Sequence, residues 1–184
     1  MTRLKALQPD EATGKTKELF IGVQSKLGMV PNMMRTMGNS PALLEGYLQL
    51  SGALGHGTLG ARTGELIALA VAESNRCNYC LSAHSFIGEK MAGIDTSSLM
   101  AAREGNSSHE KTDAALKFAQ ALVTKRGSVN DQDVNKVKAA GYSDGDIGEI
   151  VAHVALNILT NYLNITAQTE IDFPEVHAFE KLEA

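Results

Sequence analysis

The 184-residue chain has only two cysteines, Cys77 and Cys80, and His84 follows four residues after the second. Helical positions three and four apart share a face. A helix over 77–84 therefore sets two thiols and an imidazole along one stripe, a set suited to thiol redox chemistry. The thiolate is the attacking form, and a free thiol has a pKa near ~8.5, so activation is needed at neutral pH. Two devices are legible. Cys77 falls in the first turn of its helix beside Arg76, where the positive end of the helix favours an anion. Cys80 falls a turn deeper, within reach of His84 as a thiol–imidazole pair. The two devices favour different sulfurs, and the residues alone do not say which one attacks.

Glu65 adds an acid. It opens a strongly apolar segment, which predicts a partly desolvated carboxylate suited to proton transfer. A glutamate merely favoured by the dipole in a first helical turn is the competing reading. The cluster as a whole also has competitors. Two thiolates, an imidazole and a carboxylate could bind zinc. Structural zinc usually draws its ligands from two segments, however, and the chain has no second Cys/His cluster. A structural pair of core cysteines is the other alternative. Redox chemistry is favoured over both: one thiolate attacks an oxidant, becomes a sulfenic acid, and the other closes a disulfide.

The elements that must hold this cluster read as helices punctuated by glycine. Asp10–Leu27 carries Leu19, Phe20, Val23 and Leu27 at helical spacing before Gly28. Met29–Asn39 reads as a turn and short helix; Met29, Met33, Met34 and Met37 read as packing filler, with an adaptable pocket lining as the alternative. Ser40-Pro41 starts a helix running to about Leu54. Ala61–Asn75 is apolar nearly all round, the mark of an interior helix. Asn75 is expected to cap the cysteine helix, which ends near Gly93. A small helix after Asp95, then 108–126, 130–140 and a long 143–169 complete the series, with the tail beyond Pro174 expected at the periphery. No βαβ pattern surrounds the cysteines, which excludes a thioredoxin fold.

The long last segment carries His153, Asn157, Asn161 and Asn164 as a polar stripe on an apolar helix. Buried polar groups must find partners. An inter-helix hydrogen-bond network is the plainer reading for the asparagines, and His153 is a candidate for lining the site. His56, His109 and His177 fall in polar or glycine-rich segments and receive no role.

Bulk properties set the frame. Hydrophobic residues make up 43% and charged residues 21%, ordinary for a soluble globular chain. The length predicts one all-α domain over 1–184. A net charge of −4 argues against nucleic acid as a partner. The first residues lack the apolar stretch of a secretory signal, and no uninterrupted apolar run is long enough to span a bilayer. The expectation is a cytoplasmic protein without a membrane partner. In that reducing compartment a Cys-x-x-Cys pair is more often catalytic or metal-binding than a structural disulfide.

The spacing Glu65-x11-Cys77-x2-Cys80-x3-His84, with the segments 65–72 and 77–84 around it, resembles the AhpD-like alkylhydroperoxidases of the carboxymuconolactone decarboxylase superfamily. Residues 150–153, 161–164 and 172–174 resemble its peroxidase-related branch. The resemblance implies the AhpD-like multi-helix fold and reduction of a hydroperoxide without haem, flavin or metal. It assigns Cys80 as the attacking thiolate, Cys77 as the resolving partner nearer the surface, and His84 with Glu65 as a proton relay. It further implies a thiol reductant and a homo-oligomer, trimeric or hexameric. The best-studied form of the motif has a second histidine where this chain has Tyr79. A phenol with pKa near ~10 cannot replace imidazole as a neutral-pH base, which leaves open a shorter relay and a reductant other than that form's lipoyl-type partner. Members without the cysteines, the lactone decarboxylases among them, do different chemistry; a decarboxylase-type lyase and a general thiol–disulfide oxidoreductase are the enzyme alternatives.

Overall fold

The computed structural model describes residues 2–180 and shows an all-α chain with no strand among them. In order the helices are α1 (Gly14–Leu27), α2 (Asn32–Met37), α3 (Pro41–Gly55), α4 (Gly60–Ser74), α5 (Asn78–Lys90), α6 (Thr96–Arg103), α7 (Glu110–Thr124), α8 (Asp131–Ala139) and α9 (Asp144–Ala167). The centre is α4. Every residue from Leu66 to Ala72 is buried, because α5, α6, α7 and α9 pack around it on all sides. At about 1.5–3 kcal/mol for each large aliphatic removed from water, this burial dominates the local energetics.

The turn from α4 to α5 explains where the cysteines sit. Asn75 ends α4, Arg76 takes the left-handed conformation at φ 56°, and the Cys77 N–H donates to Ala72 O at 2.9 Å. That six-residue bond with a left-handed penultimate residue is a Schellman closure. Its last residue is also the first of the next helix: Cys77 is the N-cap of α5, its sulfur accepting from the Cys80 N–H at 3.3 Å. Two expectations are corrected here. Asn75 does not cap the cysteine helix, since it closes the preceding one, and Cys77 lies just ahead of the first turn. Glu65 likewise lies in the second turn of α4, beyond the first-turn position the sequence suggested.

By length and composition alone α9 could cross a membrane, with a mean hydropathy of 1.2 in its most apolar window. In this fold it is a core helix, packed against α3, α4, α5 and α7, started by a capping box at Ser143 and Asp146. Its polar stripe faces inward: Asn157, Thr160, Asn161 and Asn164 are all buried. Asn161 Oδ1 accepts from Asn75 Nδ2 at 2.9 Å, an inter-helix bond of the expected kind, whereas Asn157 Nδ2 donates back to His153 O in its own helix.

The segment after α9 departs from expectation in one respect. It runs as a strap over α5, at the periphery with no buried residue among 171–180, but it is pinned there by specific bonds; residues 181–184 lie outside the described residues. Arg103, paired with Glu73 at 2.8 Å, donates to His177 O at 2.7 Å and stacks its guanidinium 3.9 Å above the Phe179 ring. Glu73 also accepts from the Phe179 N–H at 2.7 Å. Further along, Ser82 Oγ accepts from the Val176 N–H at 2.9 Å. At the near end Asp172 accepts from the Asn32 N–H at 2.7 Å and from Tyr79 Oη at 2.8 Å. Asp172→Ala leaves two partly buried donors unpaired, at about 1–3 kcal/mol each. Amide hydrogen exchange should then speed up across 170–176 and at Asn32; unchanged exchange would show that Asp172 does not anchor the strap.

Candidate active site

A cavity of about 290 Å³ opens between α2, α3, α4, α5 and α9. Its wall is mostly apolar, with Met29, Met33, Met34 and Met91 among the lining residues. The methionine cluster thus serves both readings given to it, since Met37 alone is fully enclosed in the core. Into this cavity the fold brings Glu65 from α4, Tyr79, Cys80 and His84 from α5, and His153 from α9. Cys77 is turned elsewhere. It lines a second cavity of about 270 Å³ with Arg76, Asn78, Asn164, Gln168 and Thr169, while Tyr79 borders both spaces.

Cys77 and Cys80 are joined as a disulfide, with Cα atoms 5.3 Å apart. They are 1% and 2% exposed, so Cys77 is no nearer the surface than its partner; the resemblance implied that it would be. The difference between them is which cavity each one borders.

His84 Nδ1 and Glu65 Oε2 are 2.8 Å apart, with 23% and 20% of their side chains exposed. The helices α4 and α5 are neighbours across the Schellman turn, which is why residues 19 apart in sequence meet. With Nδ1–H donating to the carboxylate, this bond fixes the tautomer and orientation of the ring. The sulfur of Cys80 has a different partner from the one expected. It accepts from Asn164 Nδ2 at 3.4 Å, and makes no hydrogen bond with His84.

Tyr79, which replaces the second histidine of the resembling motif, is a strut. It donates to Asp172 and accepts from the Met33 N–H at 3.1 Å. Burial, then the negative charge of Asp172, pushes its hydroxyl well above the ordinary phenol range. It therefore stays a hydrogen-bond donor, and its ring meets Phe173 edge-on at 5.9 Å. Three wall residues had no signal in local spacing: Tyr47 on α3, and Phe86 and Phe173, whose rings lie 5.8 Å apart. The Tyr47 hydroxyl is pushed up to about 12, by burial first and then by the charge of Glu65.

Among the described residues no group of three or more His, Cys, Asp and Glu side chains is arranged to hold a metal ion. The donor set as folded, with the two sulfurs bonded to each other and Cys77 facing away from His84 and Glu65, does not fit the zinc alternative.

Residues 41–124, which include all of Glu65, Cys77, Cys80 and His84, match the model of the carboxymuconolactone decarboxylase family. An uncharacterized protein of Haemophilus influenzae is 50% identical over 46 residues; the match spans 24% of this chain and 41% of that relative's length. Two crystal structures share the fold at lower identity. A peroxidase-related protein with an alkylhydroperoxidase AhpD core, from Ralstonia eutropha, has a TM-score of 0.83 at 23% identity, covering 93% of this chain and 92% of its own. A peroxidase-related protein from Silicibacter has a TM-score of 0.79 at 24% identity, covering 92% and 94%. The debrominase Bmp8, crystallised with 2,3,4-tribromopyrrole, has a TM-score of 0.79 at 26% identity, covering 94% and 92%.

His153 completes the site as its second imidazole. Its ring packs over Gly64, where an added Cβ would lie 2.9 Å from Cε1, and its Nε2 is buried without a partner among the described residues. Burial lowers its pKa below the ordinary 6.5, against opposing pulls from Glu149 and Glu65. The folded chain therefore takes up this proton at lower pH than the unfolded chain does. Above about pH 6.5 neither state is protonated and the term is absent; as pH falls through that value the unfolded state binds the proton first and stability drops. His153→Gln should lose less stability than wild type between about pH 7.5 and pH 5, read from urea midpoints. An equal loss in both would show that this ring does not carry the acid sensitivity.

Proposed function

For a chain that belongs to the AhpD-like, carboxymuconolactone decarboxylase superfamily, we propose cofactor-free reduction of a hydroperoxide by the Cys77/Cys80 pair. One observation carries this reading: Cys80, already paired with Cys77, borders the same apolar cavity as the hydrogen-bonded His84 and Glu65.

In the reduced protein the Cys80 thiolate attacks the terminal peroxide oxygen. The O–O bond breaks, the proton given up by the Cys80 thiol and held on the His84–Glu65 pair passes to the leaving alkoxide, and Cys80 becomes a sulfenic acid. The Cys77 thiolate then attacks the Cys80 sulfur and expels hydroxide, which leaves as water with a second proton. Two thiols and one hydroperoxide have become a disulfide, an alcohol and water. A thiol reductant returns the pair to its starting state. The apolar, methionine-rich wall favours an organic hydroperoxide over a small hydrophilic one.

A second reading is reductive debromination, supported by the likeness to Bmp8 over nearly the whole of both chains. The same two thiols and the same cavity would serve it: bromide leaves as Cys80 bonds the ring carbon, Cys77 then attacks the Cys80 sulfur, and the released carbon takes a thiol proton, so that two thiols and a bromoarene become a disulfide, bromide, a proton and the debrominated arene.

The homo-oligomer belongs to this proposal as well. Val151, Leu159, Tyr162 and Ile165 leave an exposed apolar stripe along one side of α9, suited to burial against another copy. Light scattering should give a mass that is a multiple of 19.6 kDa and falls in Tyr162→Glu; a wild-type mass of one chain would refute the assembly.

Adding an organic hydroperoxide to the reduced protein should remove both titratable thiols and form one alcohol per chain. Glu65→Gln, which keeps the shape but not the charge, should slow that loss by about 100-fold, the lower end of a general acid–base contribution. Two thiols persisting per chain would defeat the peroxidase reading. If the same protein instead released bromide from a brominated pyrrole, the second reading would take its place.

A further inference from the structure

We propose that Asn164 is a positioning residue that makes Cys80, rather than Cys77, the more acidic of the two thiols; this rests on the thiol-redox reading above. In the disulfide state shown by the structure, each sulfur already has one hydrogen-bond donor, and these donors stay beside the sulfurs when the pair is reduced. Cys77 receives the backbone N–H of Cys80 at 3.3 Å, and it stands at the N-cap of α5, where the helix dipole favours an anion. By helix position alone Cys77 would carry the negative charge. Cys80 lies a turn further in, and its donor comes from a different helix: the side-chain amide of Asn164 on α9, at 3.4 Å.

Three observations set this amide apart from an ordinary buried asparagine. Asn164 is 3% exposed, so its N–H acts where water does not weaken it. Its Oδ1 is buried and has no partner among the described residues, so the amide's one side-chain hydrogen bond is to the sulfur. Its backbone is held at the end of α9, where the Asn164 carbonyl accepts from the Thr169 N–H at 3.1 Å. The orientation is also the chemically sensible one. A flipped amide would set oxygen lone pairs against the sulfur, which repels a thiolate, whereas the N–H stabilises it. Asn164 thus offsets the advantage that the N-cap gives Cys77, and the charge settles on the sulfur that borders the larger apolar cavity.

The test reads each thiol separately and needs no peroxide. Reduced protein is alkylated with iodoacetamide from about pH 5 to pH 9, and mass spectrometry follows the peptides carrying Cys77 and Cys80. In wild type the Cys80 profile should have the lower midpoint. Asn164→Leu, similar in shape but without the donor, should move the Cys80 midpoint up by about one pH unit or more and slow its alkylation near pH 7 about tenfold. The Cys77 midpoint should move less, so that the order of the two thiols reverses. Asn164→Asp, closer still in shape and a second route if the leucine variant does not fold, should raise the Cys80 midpoint further. A wild type in which Cys77 is the more acidic, or a Cys80 midpoint unmoved in the variants, would overturn the proposal. Because a midpoint reports proton affinity, a purely structural role for Asn164 would not shift it. Because no hydroperoxide is used, the result stands apart from whether the peroxidase reading holds.

Discussion

One backbone bond, from the Cys77 N–H to Ala72 O, holds the site together. It ends α4 and begins α5 within a single turn, so the two helices lie side by side with no loop between them. Everything chemical follows from that closeness. Glu65 and His84 face each other across the hairpin, and the sulfurs lie at its apex, where one helix has just closed and the next has unpaired N–H groups to offer. The left-handed Arg76 in the middle of the turn is unfavourable for a residue with a Cβ by roughly 1–2 kcal/mol. The burial of α4 and the bond from Arg76 Nη1 to Phe179 O at 2.8 Å oppose that cost.

Around the hairpin the polar groups fall into two kinds. Glu73 and Arg103 form a buried pair that also bonds the strap at His177 O and the Phe179 N–H, with Arg103 Nη1 donating to Met100 Sδ, so its desolvation is answered by several bonds at once. The polar groups of the other kind are less complete. His153 Nε2, Asn161 Nδ2, Asn164 Oδ1 and Thr169 Oγ1 are buried without partners among the described residues. Folding alone does not favour such atoms. Three of the four, on His153, Asn164 and Thr169, border the two cavities, which marks the region where the fold gives up some stability for polarity.

Much of this architecture was readable from residue order. The all-round apolar run of 61–75 placed α4 in the interior, and Gly28, with φ 75° after α1, stopped that helix where expected. The Glu/Cys/Cys/His spacing pointed to the right helices because helical geometry turns sequence intervals into faces. What escaped notice depended on tertiary partners. Asn75 has a side chain good for starting a helix, yet the αL residue after it made it an end; no local rule separates the two. A cysteine as N-cap was not anticipated, since Ser, Thr, Asp and Asn normally fill that place. The strap looked unanchored because its sequence is charged and contains Pro174, and its anchors are far away: Asn32, Glu73, Tyr79 and Arg103. The stripe of asparagines was visible, but which amide meets a sulfur depends on how α9 is rotated against α5.

The thioethers that wall the larger cavity have a consequence of their own. Met29, Met33, Met34 and Met91 are themselves oxidisable, and conversion to sulfoxide would turn a greasy surface polar and stiffer in its choice of guests. Under the proposed hydroperoxide reduction this chamber would hold a record of its exposure: each stray oxygen atom deposited on its lining would make the next apolar visitor less welcome. Wear would show first as a change in which molecules enter, before any loss at the sulfur pair.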